Sequence, residues 1–160
     1  MTLPIVTAVI IAVFVFGIGG LATAVGARHL NLRKPAWNPP NWIFGPAWAM
    51  ILSLAACSGI LAWINSSDAA IHLRIAVLFG VNIILQILWS PLFFYLQRPD
   101  WALIEVVFLW LSIVALMFGL EPVSSNASLL LLPYLLWVAF AAILNLGIVR
   151  MNSPLEKDLC

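Results

Sequence analysis

Few side chains in this sequence could do chemistry, and most of them sit where water is scarce. Glu105 falls inside a long apolar run, where an ionised group is expensive and either faces the interior of a helix bundle or reaches back to a membrane interface. Asn82 and Gln86 are four apart, so they share one face of a helix, with Trp89 three residues further on. Asn145 stands in another apolar run, eight residues after Trp137 and on a similar face. Amides placed this way either hydrogen-bond across helices or supply the few polar contacts of an otherwise aromatic pocket. Trp63 and Trp101, at the ends of runs, fit an interfacial belt, whereas Trp89, Trp110 and Trp137 are set deeper and Trp48 lies one turn into its run. Rings at that depth suit a flat hydrophobic ligand that stacks on them.

Acid–base, nucleophilic and metal chemistry find little support. His29 and His72 fall on opposite sides of one membrane-length run and cannot share a metal. No Cys-x-x-Cys pair, phosphate-binding glycine loop, nucleophile elbow or metalloprotease box is present. Asp68, Asp100 and Glu121 lie in connections, and Glu156 and Asp158 in the tail. Cys57 and Cys160 make neither a structural disulfide nor a metal site, and Cys160 lacks the residues of a prenylation box. Neither a metal nor a resident cofactor is expected.

The densest segment is Lys34-Pro35-Ala36-Trp37-Asn38-Pro39-Pro40-Asn41-Trp42-Ile43-Phe44-Gly45-Pro46-Ala47-Trp48, with three tryptophans and four prolines. Proline fixes φ and donates no backbone hydrogen bond, so ordinary helix begins only after Pro40. The tryptophans must sit where an amphipathic ring is welcome, at a membrane interface or the mouth of a ligand cavity.

The elements that position these residues follow from composition. The chain has 160 residues, 64% hydrophobic and 8% charged, with mean hydropathy +1.12, far from the roughly 25% charge of soluble domains. Apolar runs at Leu3 to Gly26, Ile43 to Ile64, Leu73 to Leu96, Trp101 to Leu120 and Leu129 to Val149 each approach the ~20 residues a helix needs to cross a bilayer. No ~10-residue alternating segments of a transmembrane barrel are visible. The expectation is an all-α integral membrane protein, a single domain over residues 1–160 forming a five-helix bundle (about 3–26, 43–64, 73–96, 101–120 and 129–149). Gly20/Ala24, Ala22/Gly26 and Ala76/Gly80 are small-xxx-small pairs for contact within the bundle or a dimer seam. Pro46, Pro91 and Pro133 should kink helices or unwind a turn.

Arg28, Arg33, Lys34, Arg98, Arg150 and Lys157 share one side of this topology, against Arg74 alone on the other, which puts the N-terminus outside and the C-terminus in the cytoplasm. Ala22-Thr23-Ala24 resembles a signal-peptide cleavage site, but no Lys or Arg precedes it and the apolar stretch is long, so retention is expected. The net charge of +1 offers no argument for nucleic-acid binding.

Three ordered motifs carry a family resemblance. Lys34-Pro35-x-Trp37-x-Pro39-Pro40-x-Trp42-x-Phe44-x-Pro46-x-Trp48, then Trp89-Ser90-Pro91-Leu92-Phe93-Phe94, then Pro133-Tyr134-Leu135-x-Trp137 with Ala141-x-x-Leu144-Asn145, resemble the TspO/MBR family of tryptophan-rich sensory proteins and mitochondrial translocator proteins. The match runs from about Lys34 to Asn152. It implies a five-helix membrane protein, often a homodimer, with a cavity under the first connection that binds porphyrins such as protoporphyrin IX and isoquinoline- or benzodiazepine-like ligands. The family's pocket positions correspond to Trp37, Pro39, Phe44, Trp48, Trp89, Trp137, Ala141 and Leu144, with Asn145 beside them. A pair matching Trp48 and Trp137 is linked in bacterial relatives to light- and oxygen-dependent porphyrin breakdown, which makes these two the candidate catalytic residues.

This chain departs from the pattern in places. Many relatives read Gln-x-x-x-Asn on the third helix, with the Asn in the cavity, where this chain has Asn82-x-x-x-Gln86. The resemblance therefore makes Gln86 the pocket member and leaves Asn82 to a neighbouring helix. A usual Trp-Tyr pair is here Arg28-His29, so Arg28, Arg33 and Lys34 are candidate rim charges for porphyrin propionates. An aromatic four residues after the last Trp of the first motif is Leu52, and no Tyr follows Asn145 as in the sterol-binding pattern of animal members. The implied function is porphyrin binding for sensing, sequestration or regulation in a bacterial cytoplasmic membrane, in contact with lipid and with porphyrin as ligand rather than cofactor. A porphyrin or lipid transporter is the alternative and a porphyrin-degrading enzyme the next; no inverted repeat favours the former and no protein-derived redox centre the latter.

Overall fold

The computed structural model describes residues 35–96 and 98–152, with six separate positions between 6 and 17. Among the described residues the chain is helical and has no strand. Helix α1 spans Asn41–Ile64, α2 Ala69–Ser90, α3 Pro99–Leu120, α4 Ser125–Leu129 and α5 Leu132–Asn152, and a π-helical turn, Pro91–Tyr95, continues α2. Four stretches, Trp42–Ile64, Ala69–Phe93, Pro99–Leu120 and Ser125–Asn152, are long and apolar enough to cross a membrane. The protein is an all-α integral membrane protein with four such spans among the described residues. The expected first helix, 3–26, falls outside them apart from the six positions, so the described spans number four rather than five.

Capping moves the expected boundaries. Helix α2 starts four residues before Leu73 because the Asp68 carboxylate accepts the Ala70 N–H at 2.8 Å. Helix α3 starts two residues before Trp101, with Pro99 in its first turn, where a missing N–H costs nothing. The run expected as one helix over 73–96 changes form at Pro91. That ring cannot donate to Ile87 and crowds its carbonyl, and the chain widens until Leu96 N–H meets the Pro91 carbonyl at 2.9 Å. The run expected from Leu129 is also divided. Ser124 accepts the Ala127 N–H at 3.3 Å and opens α4, and α5 begins after a turn at Leu130–Leu131.

Serines fasten α4 to its neighbours: Ser58 Oγ donates to the Ala127 carbonyl at 2.6 Å and Ser128 Oγ to the Met117 carbonyl at 3.0 Å. Helix α3 is the centre of the described bundle, burying Ala102, Glu105, Val106, Leu109, Ile113, Leu116 and Leu120 at helical spacing. It packs chiefly on α2 and α5. At Gly119 an added Cβ would run into the Leu78 side chain, so α2 and α3 approach closely there. The Ala76/Gly80 pair does not serve this contact: Ala76 is exposed and no described atom lies within 4 Å of a Cβ at Gly80. Large apolar side chains point outward, with Trp42 73% and Phe118 77% exposed, as a lipid-facing surface requires.

Candidate functional site

The first connection lies against α5. Asn38 N–H bonds the Pro35 carbonyl at 3.0 Å, closing a turn that presents Trp37. A Cβ on Gly147 would come within 3.0 Å of Pro35 Cγ and 3.6 Å of Trp37 Cζ2, so this glycine lets the proline-rich chain sit directly on the helix. Trp37 meets Phe140 edge-on with centroids 6.0 Å apart, Phe140 lies 5.6 Å from Trp137, and Trp137 meets Phe44 edge-on at 5.8 Å. One turn further along α1, Trp48 packs edge-on against Tyr134 at 6.3 Å. All are T-shaped or tilted arrangements that aromatic quadrupoles favour.

Below these rings a polar chain joins three helices. The buried Tyr134 hydroxyl is 3.1 Å from Gln86 Oε1 and 3.3 Å from Asn82 Oδ1. Asn82 Nδ2 donates to Ser112 Oγ at 2.8 Å, and the Ser112 hydroxyl donates to the Leu109 carbonyl at 2.7 Å. Because the Ser112 proton is committed to Leu109, its oxygen needs a donor, and this fixes the orientation of the Asn82 amide. Trp89 stacks on Phe93 across the π-helical turn at 5.4 Å and 16°. Together with Phe44 it packs on Ala102, Leu144 and Ile148.

Three buried atoms in this region have no hydrogen-bond partner among the described residues: Trp137 Nε1 and both carboxylate oxygens of Glu105. Buried polar atoms are almost always satisfied, so these point to a partner beyond the described residues.

Trp37, Phe44, Trp48 and Trp137 thus fall within one zone of ring contacts. Pro39 is half-buried in the connection, Ala141 half-buried one turn beyond Trp137, and Leu144 buried beside Phe44 and Trp89. Gln86 lies on Tyr134. No ring contact joins Trp48 to Trp137 among the described residues; each indole has its own aromatic partner. Asn145 is committed elsewhere. It is 1% exposed, with Nδ2 donating to the Pro99 carbonyl at 3.1 Å and Oδ1 accepting from Leu103 N–H at 3.0 Å, and so ties α5 to the start of α3. Arg28, Arg33 and Lys34, the expected rim charges, lie outside the described residues. Phe140 and Ser112 were not singled out from the sequence, and Tyr134 stood there only as part of a motif, without a role at the site. A Tyr three residues before Trp137 and a Phe three after it carried the helical-spacing signal for Tyr134 and Phe140, and nothing marked Ser112.

The TspO/MBR family model matches residues 6–151. The chain is 39% identical to a Tryptophan-rich protein TspO of Chlorobaculum tepidum over 78% of both chains, and 33% identical to Protein CrtK of Rhodobacter capsulatus over 99% of both. It is 31% identical to the Translocator protein of Homo sapiens over 78% of this chain and 74% of that one. With the tryptophan- and proline-rich connection seated on the last helix and similarity running almost end to end, the chain belongs to the TspO/MBR family.

Proposed function

We propose that the protein is a membrane receptor for porphyrins, protoporphyrin IX among them, and for isoquinoline- or benzodiazepine-like hydrophobic molecules, acting in sensing, sequestration or regulation of tetrapyrroles. The observation that carries this reading is the run of ring contacts from Trp37 through Phe140 and Trp137 to Phe44, which brings the first connection, α1 and α5 to one place. Flat π-systems gain about 0.5–1.5 kcal/mol per well-placed aromatic contact. The unpartnered Trp137 N–H suits an acceptor on the ligand, such as a carbonyl or propionate. In this reading the protein is a homodimer in a bacterial cytoplasmic membrane, N-terminus periplasmic and C-terminus cytoplasmic, with lipid against its apolar exterior.

Titration of purified protein with protoporphyrin IX, followed by tryptophan quenching, tests it. Saturable quenching is expected, with Trp137→Phe and Trp48→Phe each weakening binding roughly 2- to 12-fold. No saturable binding would overturn the reading. Under light, both variants should degrade bound porphyrin more slowly than the parent; parental rates in both would remove any photochemical role of the pair.

A further inference from the structure

Glu105 is 6% exposed, and stacking of a neutral ligand does not account for its bare carboxylate. On the buried stripe of α3 it follows Ala102 by three residues and precedes Leu109 by four. Ala102 belongs to the apolar group that Phe44 and Trp89 pack against, and Leu109 to the one that receives Trp48, Trp89 and Trp137. The register of the antiparallel pair agrees. Asn145 of α5 reaches the backbone of both Pro99 and Leu103 on α3, so Glu105 falls level with the turn of α5 near Ala141, about one ~5.4 Å turn from Trp137.

A carboxylate in such surroundings needs a proton or a counter-charge. Helices α1 and α4 carry no ionisable side chain apart from Cys57. On α2, His72 and Arg74 lie at the far end. On α5, Arg150 is exposed in the last turn, and Arg98 bonds Asp100 at the exposed start of α3. Tyr95 belongs to the π-helical turn, and Glu121 is exposed beyond the other end of α3. Tyr134 is the described group within electrostatic reach of Glu105, and it is no cation.

We propose that Glu105, with Trp89, Trp137 and Phe44, forms a binding site for a hydrophobic ligand that carries a protonated amine. Aromatic faces attract an organic cation, and the carboxylate supplies the opposite charge. When the acid carries its proton, entry of the ammonium breaks the carboxyl O–H bond. The proton leaves to solvent as the ammonium N–H bonds the carboxylate, so one positive charge enters as one departs. Lower pH therefore opposes amine binding. The inference does not rest on porphyrin being the native ligand, since a porphyrin uses the rings and an amine uses the rings and the acid.

The test is calorimetric titration of the full chain in lipid nanodiscs with 1-naphthylmethylamine and its uncharged counterpart 1-naphthalenemethanol, across a range of pH. The amine should bind about tenfold more tightly, equivalent to about 1.4 kcal/mol. Its affinity should fall as pH is lowered, with proton release seen in buffers of different ionisation enthalpy, while that of the alcohol stays constant. Glu105→Gln keeps the shape, and with a melting temperature at or above the parental value it should bind both probes equally and lose the pH dependence. Equal affinities of the parent for the two probes would overturn the proposal without recourse to any variant, as would an amine preference that survives in Glu105→Gln. Failure of protoporphyrin IX to bind leaves both readouts intact, so the two proposals fail separately.

Discussion

Tyr134 has one hydroxyl proton and faces two carbonyls, and the two amides that accept from it are not equivalent. Asn82 is held by Ser112, whereas Gln86 can accept from Tyr134 or, turned over, donate to its oxygen, and so can offer a neighbour either an N–H or a C=O. Removing Asn82 breaks two interhelical contacts. Asn82→Ala should lower stability by about 1 kcal/mol, taking ~0.6 per contact, and this reads out as a lower melting temperature in detergent. Gln86→Ala leaves Tyr134 with Asn82 as acceptor, so it should melt closer to the parent while weakening an isoquinoline carboxamide roughly 2- to 12-fold in direct binding. Affinity lost in Asn82→Ala and kept in Gln86→Ala would reverse the assignment. That the two amides share a face was legible from their spacing of four. Their meeting at Tyr134, and the use of Asn145 on the α3 backbone, depend on the register between helices, which no single segment encodes.

Among the elements, hydropathy located the spans and local hydrogen bonding set their ends. The Asp68 cap is the clearest case: Ala69 to His72, which read as connection, become helix because one carboxylate accepts the Ala70 N–H. Asp68→Ala should cost about 1 kcal/mol and reduce helical circular dichroism slightly, checked by thermal melts; an unchanged melting temperature would show that α2 is held by packing alone. Pro91 announced an interruption but not its type, since a kink and a π-helical turn both relieve the same clash. Helix α4 was illegible because its five residues, Ser125–Leu129, are too short and too polar for a hydropathy signal, and the serine hydrogen bonds that hold it join it to residues far away in sequence or on another helix.

For the whole molecule, charge asymmetry makes a prediction independent of any relative. In a Cys57→Ser background, Cys160 should react with a membrane-impermeant maleimide only from the cytoplasmic side. Labelling from the periplasmic side alone would invert the topology. The architecture also bears on time as well as affinity. The connection carrying Trp37 rests so closely on Gly147 that a methyl group there would press on the rigid Pro35 ring and displace it by a few tenths of an ångström. In the proposed reading a ligand beneath Trp37 leaves past that contact, which makes a single missing side chain the setting of a clock. Gly147→Val should therefore shorten the residence time of bound porphyrin several-fold in a stopped-flow chase.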